Sequence, residues 1–198
     1  MRPRRDRRRA LAALALMAGC AGAAAQPDPS MPGVACDSCH GARGASRGPT
    51  IPAIAGQSEA YLVEQLRLFR AGKRPSTVMG PLLRGYRDAE LKAIAGDFAG
   101  RAFAPRAQAT DPALAARGKA IHERDCERCH RQGGRSFDQA EAGLPGPILA
   151  GQWMPYLAIS INEFFAQERD LPPGMGEAYL RLRQPDLEAL LHFYASQR

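Results

Sequence analysis

Cys126-Glu127-Arg128-Cys129-His130 occurs twice in this chain, the other copy being Cys36-Asp37-Ser38-Cys39-His40, ninety positions earlier. In the pattern C-x-x-C-H the two thiols stand at i and i+3, which share a face of one helical turn. Each can therefore bond a vinyl carbon of one porphyrin while the next residue, a histidine, reaches the iron. That is the attachment signature of haem c. A single C-x-x-C is open to zinc, a redox dithiol or a plain disulfide. Two copies, each completed by histidine, favour haem, and a four-cysteine zinc site would want a shorter gap between the pairs.

The sequence around the two motifs repeats as well. Pro52, Ala55, Gly56, Gln57, Tyr61 and Leu62 fall on Pro147, Ala150, Gly151, Gln152, Tyr156 and Leu157 at an offset of 95, and Met79, Leu91 and Ala99 on Met175, Leu187 and Ala195 at 96. The drift from 90 places five extra residues in the loop after the second motif. Two similar domains, each around one haem, are expected.

The pattern is helical throughout. Ser58 caps a helix to about Ala71, with Tyr61, Leu62, Gln65, Leu66 and Phe69 on one face and Gly72 as its stop. Lys73 to Tyr86 reads as irregular chain around Met79. Asp88 opens a helix whose Leu91, Ile94, Ala95 and Phe98 recur at helical spacing. In the second half Asp111 and Pro112 begin a helix reaching Cys126, another runs from about Trp153 to Gln167, and Gln184 and Pro185 open the last. No strand signal of any length is present, so the fold class is all-α.

Each iron takes two axial ligands. His40 and His130 supply one apiece. Met79 and Met175, at matching places on Pro/Gly-flanked chain, are the candidates for the other. Histidine–methionine ligation raises the potential relative to bis-histidine and leaves no open position for oxygen chemistry. Met154 replaces Glu59 of the first half and Met31 precedes its motif, so both read as packing residues. His122 and His192 lack counterparts and read as surface or satisfied, partly buried histidines. Lys73, Arg74 and Arg84 read as solvated charge, with a docking face for acidic partners as the alternative. Trp153, the single tryptophan, is either a contact between domains or with a partner, or a helix anchor.

The net charge of +7 does not indicate nucleic acid, because residues 2–9 alone hold six arginines against one aspartate. The apolar run Ala10–Ala18 and the small residues ending at Ala25 complete a secretory signal. Removal of 1–25 leaves about +2. Leu16-Met17-Ala18-Gly19-Cys20 also resembles a lipoprotein processing site. A membrane attachment is expected only if Cys20 is lipidated; otherwise the protein is soluble in the periplasm.

With P-x-[LI]-A-G-Q after each motif, as Pro52–Gln57 and Pro147–Gln152, the chain resembles dihaem class I cytochromes c. Arg74-Pro75-Ser76-Thr77-Val78-Met79-Gly80 with Gly85-Tyr86, and Leu149 through Leu157, resemble more narrowly the cytochrome subunit of flavocytochrome c sulfide dehydrogenase. The resemblance implies two tandem cytochrome c domains, 26–102 and 111–198, joined by a linker at 103–110, with two covalent haem c groups on Cys36, Cys39, Cys126 and Cys129. It implies that the Pro52 and Pro147 carbonyls orient His40 and His130. It further implies a separate FAD flavoprotein subunit that oxidises sulfide and feeds these haems, with a small soluble cytochrome or an oxidase as acceptor. The chain itself has no dinucleotide-binding loop and no substrate site. A free-standing dihaem carrier is the alternative function. Class I domains usually begin with a helix before the motif; Asp111–Asp125 can provide it in the second half, and the first half has only a Pro-broken decapeptide there.

Overall fold

The computed structural model describes residues 33–138 and 145–198. The secretory signal, Cys20 and Met31 lie outside the described residues. Nine α-helices are described. The first half holds α1 (Val34–His40), α2 (Glu59–Arg70), α3 (Met79–Leu83) and α4 (Asp88–Ala99), and the second α5 (Pro112–Asp125), α6 (Arg131–Gly134), α7 (Met154–Phe165), α8 (Gly176–Arg181) and α9 (Gln184–Ser196). Short 3-10 turns occupy Ala42–Gly44 and Pro173–Met175. No strand occurs among the described residues.

The expected caps are in place. Ser58 Oγ accepts from the Tyr61 N–H at 3.2 Å, and the chain turns out of α2 at Gly72 with φ +70°. Asp111 Oδ1 accepts from the N–H groups of Ala113 and Leu114 at 2.7 and 3.0 Å, ahead of Pro112 in the first turn of α5. The 73–86 stretch is not wholly irregular, because it contains α3. Ser76 Oγ accepts from the N–H groups of Val78 and Met79 at 3.2 and 2.8 Å, which starts the helix, and Pro81 falls within its first turn, where a missing N–H does no harm. α8 likewise follows Met175 where no helix was expected.

Each half has its own core. Tyr61, Leu62, Ile94, Ala95 and Phe98 join α2 to α4, and Ile121, Leu157, Ala189, Leu190, Phe193 and Tyr194 join α5, α7 and α9. Full burial of side chains of this size contributes about 1.5–3 kcal/mol each. α5 and α9 meet at Gly118, where an added Cβ would lie 2.0 Å from the Ala189 carbonyl oxygen. The start of α1 meets α4 in a similar way, a Cβ on Gly33 coming within 2.3 Å of Asp97 Oδ2.

The halves pack on one another through the A-G-Q segments. Gln57 Nε2 donates to the Ile148 carbonyl at 3.1 Å and its Oε1 accepts from the Ile148 N–H at 2.8 Å. Gln152 does the same to Ala53, at 2.8 and 3.0 Å. Ala53 and Ile148 are themselves 95 apart, so the exchange obeys the repeat. Gly56 and Gly151, at φ +70° and +69°, let segment 103–110 run over both: a Cβ would come within 2.6 Å of the Phe103 nitrogen in one and 2.5 Å of Pro105 Cβ in the other. The three-residue motif thus sets a left-handed turn, admits the connecting chain and crosses to the other half.

Candidate haem sites

In the first half the whole motif lies on α1, so Cys36 and Cys39 occupy neighbouring turns of one face, with Cys36 half-buried and Cys39 exposed. Both are free thiols. Burial, helped by the neighbouring Asp37 carboxylate, pushes the Cys36 thiol up, so it stays protonated. His40 ends α1 and is buried, and its Nδ1 donates to the Pro52 carbonyl at 2.9 Å. That bond leaves Nε2 as the lone-pair nitrogen, the form an iron needs. Burial lowers the His40 pKa and the Pro52 carbonyl works against it, with the ring held neutral.

The second motif sits differently. α5 ends at Asp125, and Cys126 to His130 continue as a hydrogen-bonded turn in which the N–H groups of Cys129 and His130 both donate to the Cys126 carbonyl, at 3.2 and 2.9 Å. Its thiols are also free. Burial drives the Cys126 thiol up to about 11. His130 is buried, with its ring edge-on to Phe137 at 4.8 Å between centroids. Its Nδ1 makes no hydrogen bond of regular geometry, although the Pro147 carbonyl is close enough to favour the protonated ring; burial dominates and lowers the pKa to about 4.

Met79 is the first residue of α3 and Met175 the residue before α8, so each methionine stands at the start of a short helix. Both are half-buried and neither belongs to a core cluster. A methionine that fills core would sit inside one. Among the described residues, His130 Nδ1 and the Tyr179 hydroxyl are buried without partners, and both belong to the half that holds Met175. Free paired thiols, neutral buried imidazoles and half-covered thioethers fit two porphyrins. No three His, Cys, Asp or Glu side chains converge as a metal cage among the described residues, so the zinc alternative has no geometry behind it.

Two expectations change, those for His122 and Arg74. His122 is not at the surface but 1% exposed: Nδ1 pairs with the Tyr194 hydroxyl at 2.9 Å and Nε2 with Glu127 of the second motif. Its place on α5, under α9, is what buries it. His192 accepts the Asp111 N–H at 2.9 Å. Arg74 is not solvated charge either, being 3% exposed between the halves. Its guanidinium donates to Gln65 Oε1 (2.8 Å), Ser160 Oγ (2.8 Å), the Tyr156 hydroxyl (3.2 Å) and Glu163 Oε2 (3.3 Å). Arg169 reaches the same Gln65 and Glu163 atoms, at 2.9 and 3.4 Å. Lys73 and Arg84 remain exposed. Trp153 is a contact between halves, its Nε1 donating to the Ser46 carbonyl at 3.3 Å.

Sequence reasoning missed this network, although the signal was present. The offset of 95 that pairs Tyr61 with Tyr156 also pairs Arg74 with Arg169, Gln65 with Ser160 and Phe69 with Phe164. Each arginine stacks over its own phenylalanine, both at 4.6 Å.

No family model matches the chain. Among characterised proteins it is similar to the cytochrome c4 of Stutzerimonas stutzeri, 31% identical over 166 residues that take in 73% of this chain and 76% of that protein. It is also similar to the cytochrome c4 of Pseudomonas aeruginosa, 33% identical over 127 residues, 60% of each chain. Among solved structures, reduced cytochrome c4 from Pseudomonas stutzeri superimposes with a TM-score of 0.72 at 29% identity, over 83% of this chain and 94% of that one. Thiosulfate dehydrogenase from Marichromatium purpuratum gives 0.71 at 30% identity, over 82% of this chain but 36% of the other. Tandem C-x-x-C-H motifs on a duplicated all-helical scaffold, with this likeness over most of its length, make the chain a member of the cytochrome c4 family of dihaem class I cytochromes c.

Proposed function

We propose that the chain is an exported, free-standing electron carrier in the periplasm, in which Cys36 and Cys39 hold one haem with His40 and Met79 as axial ligands, and Cys126 and Cys129 the other with His130 and Met175. The haems supply one-electron Fe(II)/Fe(III) chemistry. The protein supplies neutral imidazoles, that of His40 oriented by the Pro52 carbonyl and that of His130 held by burial with the Pro147 carbonyl nearby, soft sulfur that favours the reduced metal, and a fixed relation between the halves through Gln57, Gln152, Arg74 and Arg169. The domains are 26–102 and 111–198, with 103–110 as a connector that packs against both. The observation that carries the reading is a pair of cysteines three residues apart, not joined in a disulfide, followed by a buried histidine, present twice. No helix among the described residues is long and apolar enough to cross a membrane, so attachment would come from lipid on Cys20. Purified protein should contain two haems per chain and titrate as two one-electron couples, with the far-red absorption of methionine-ligated ferric haem. A single haem per chain, or no far-red band, would refute the assignment.

A second reading keeps the chain as a subunit that takes electrons from a sulfide-oxidising FAD flavoprotein. Its support is the likeness of residues 74–80 and 149–157 to such subunits, together with the similarity to part of a thiosulfate dehydrogenase. Against it, Arg74, Trp153 and Tyr156 of those segments bond to the other half of this chain, which accounts for them without a partner. Isolation from its native cells with stoichiometric flavin would favour the subunit.

A further inference from the structure

α8 is tied to the entrance of its own haem motif by an ion pair that the first half lacks. Asp125, the last residue of α5 and the neighbour of Cys126, has a side chain only 2% exposed. Its Oδ1 accepts from Arg181 Nε at 3.0 Å, and its Oδ2 from Arg124 Nε and Nη2 at 2.9 and 2.6 Å. Arg181 is the last residue of α8, which begins directly after Met175. By the offsets of the repeat Asp125 falls on Ala35 and Arg181 on Gly85, neither able to form such a pair. The first half instead secures the chain after Met79 with a hydrogen bond from Arg70 to the Tyr86 carbonyl at 2.8 Å.

We propose that Asp125 and Arg181 are positioning residues for the sulfur ligand of the second haem: their ion pair closes the segment bearing Met175 onto the chain that enters Cys126. The inference rests on Met175 being that ligand. A carboxylate covered from water needs its cationic partners, and removing one leaves the charge under-compensated. The rest of the attachment is apolar: Tyr179 stacks on Phe165 of α7 at 4.5 Å, and Leu182 packs on the core. Such contacts tolerate sliding, whereas the ion pair fixes one place along α5. Without it α8 remains folded onto the protein but Met175 leaves the iron more often.

The test uses the holoprotein with both haems attached. Arg181→Gln should raise the rate of carbon monoxide binding to one of the two reduced haems about tenfold, as loss of one partly screened charge-assisted bond would. It should also remove half of the far-red band at an alkaline pH where the wild type keeps both halves. Asp125→Asn should do the same, Arg181→Lys should restore the wild-type rate, and the potential of the other haem should not move. A lowered unfolding midpoint with the carbon monoxide rate and far-red band unchanged would mean a merely structural pair and overturn the proposal. Met175→Ala separates the premises. If it leaves the band at full amplitude, the ligand assignment fails; if it halves the band while Arg181→Gln alters nothing, the positioning role alone fails.

Discussion

Burial at His40 and His130 acts in the same direction as the proposed ligand role, since each ring is kept neutral by its surroundings. The repeated Cys-x-x-Cys-His motif stands out in the sequence because its residue types and spacing are unusual, and of the two prolines expected beside the histidines the structure places the Pro52 carbonyl in hydrogen-bond contact with His40, while His130 Nδ1 has no such bond to Pro147. The burial of His122 was not legible in the sequence, because only the fold brings α9 over it. Glu127 gives its surroundings a measurable signature. Burial alone would raise that carboxyl, but hydrogen bonds from His122 and from the Gln132 and Gly133 N–H groups outweigh it and hold the pKa below the usual 4.5. An acid depressed in the folded state adds stability above its unfolded pKa and loses it as pH falls through the lower folded value. Denaturant midpoints should therefore decline on acidification below about 4.5, and Glu127→Gln should flatten that part of the curve. An equally steep acid limb in the variant would show that other carboxylates, Asp125 among them, account for all of it.

Among the elements, the long helices with a regular apolar face and a capping residue were predictable to within a residue or two: Glu59–Arg70, Asp88–Ala99, Pro112–Asp125 and Gln184–Ser196. The short helices at Met79 and Gly176 were not, because five or six residues carry too little periodicity to separate helix from turn. They form where a local cap or a following ion pair fixes them. Helix contact adds a constraint that periodicity cannot reveal. At Gly118 the α5 backbone lies against α9 so closely that a methyl group would collide with the Ala189 carbonyl. Gly118→Ala should gain helix propensity and still lose about 1–3 kcal/mol from overpacking. Chemical denaturation followed through the haem absorption should show the single transition of the joined halves at lower denaturant. A variant more stable than wild type would mean that α5 and α9 can separate without loss.

For the whole molecule the duplicated sequence becomes a pseudo-twofold contact, and the symmetry is broken at one charge. Arg74 and Arg169 are related by the repeat, but the single carboxylate between them, Glu163, has Leu68 as its counterpart. Two guanidiniums thus converge on Glu163 Oε2, with side chains 3–10% exposed. Charge so far from water is tolerated only while it is paired. Glu163→Gln keeps the shape and removes the counter-ion, leaving two cations facing each other, and should cost about 3–5 kcal/mol. The loss belongs to the contact rather than to either core, so the halves should then unfold in two separate transitions where the wild type shows one. Replacing all three ionic residues with apolar ones of similar volume should recover much of that stability, since burying an ion pair brings little net gain over good packing. If the single variant still unfolds as one cooperative unit at the wild-type midpoint, the reciprocal bonds of Gln57 and Gln152 suffice to join the halves, and the arginine pair contributes nothing measurable to holding them together.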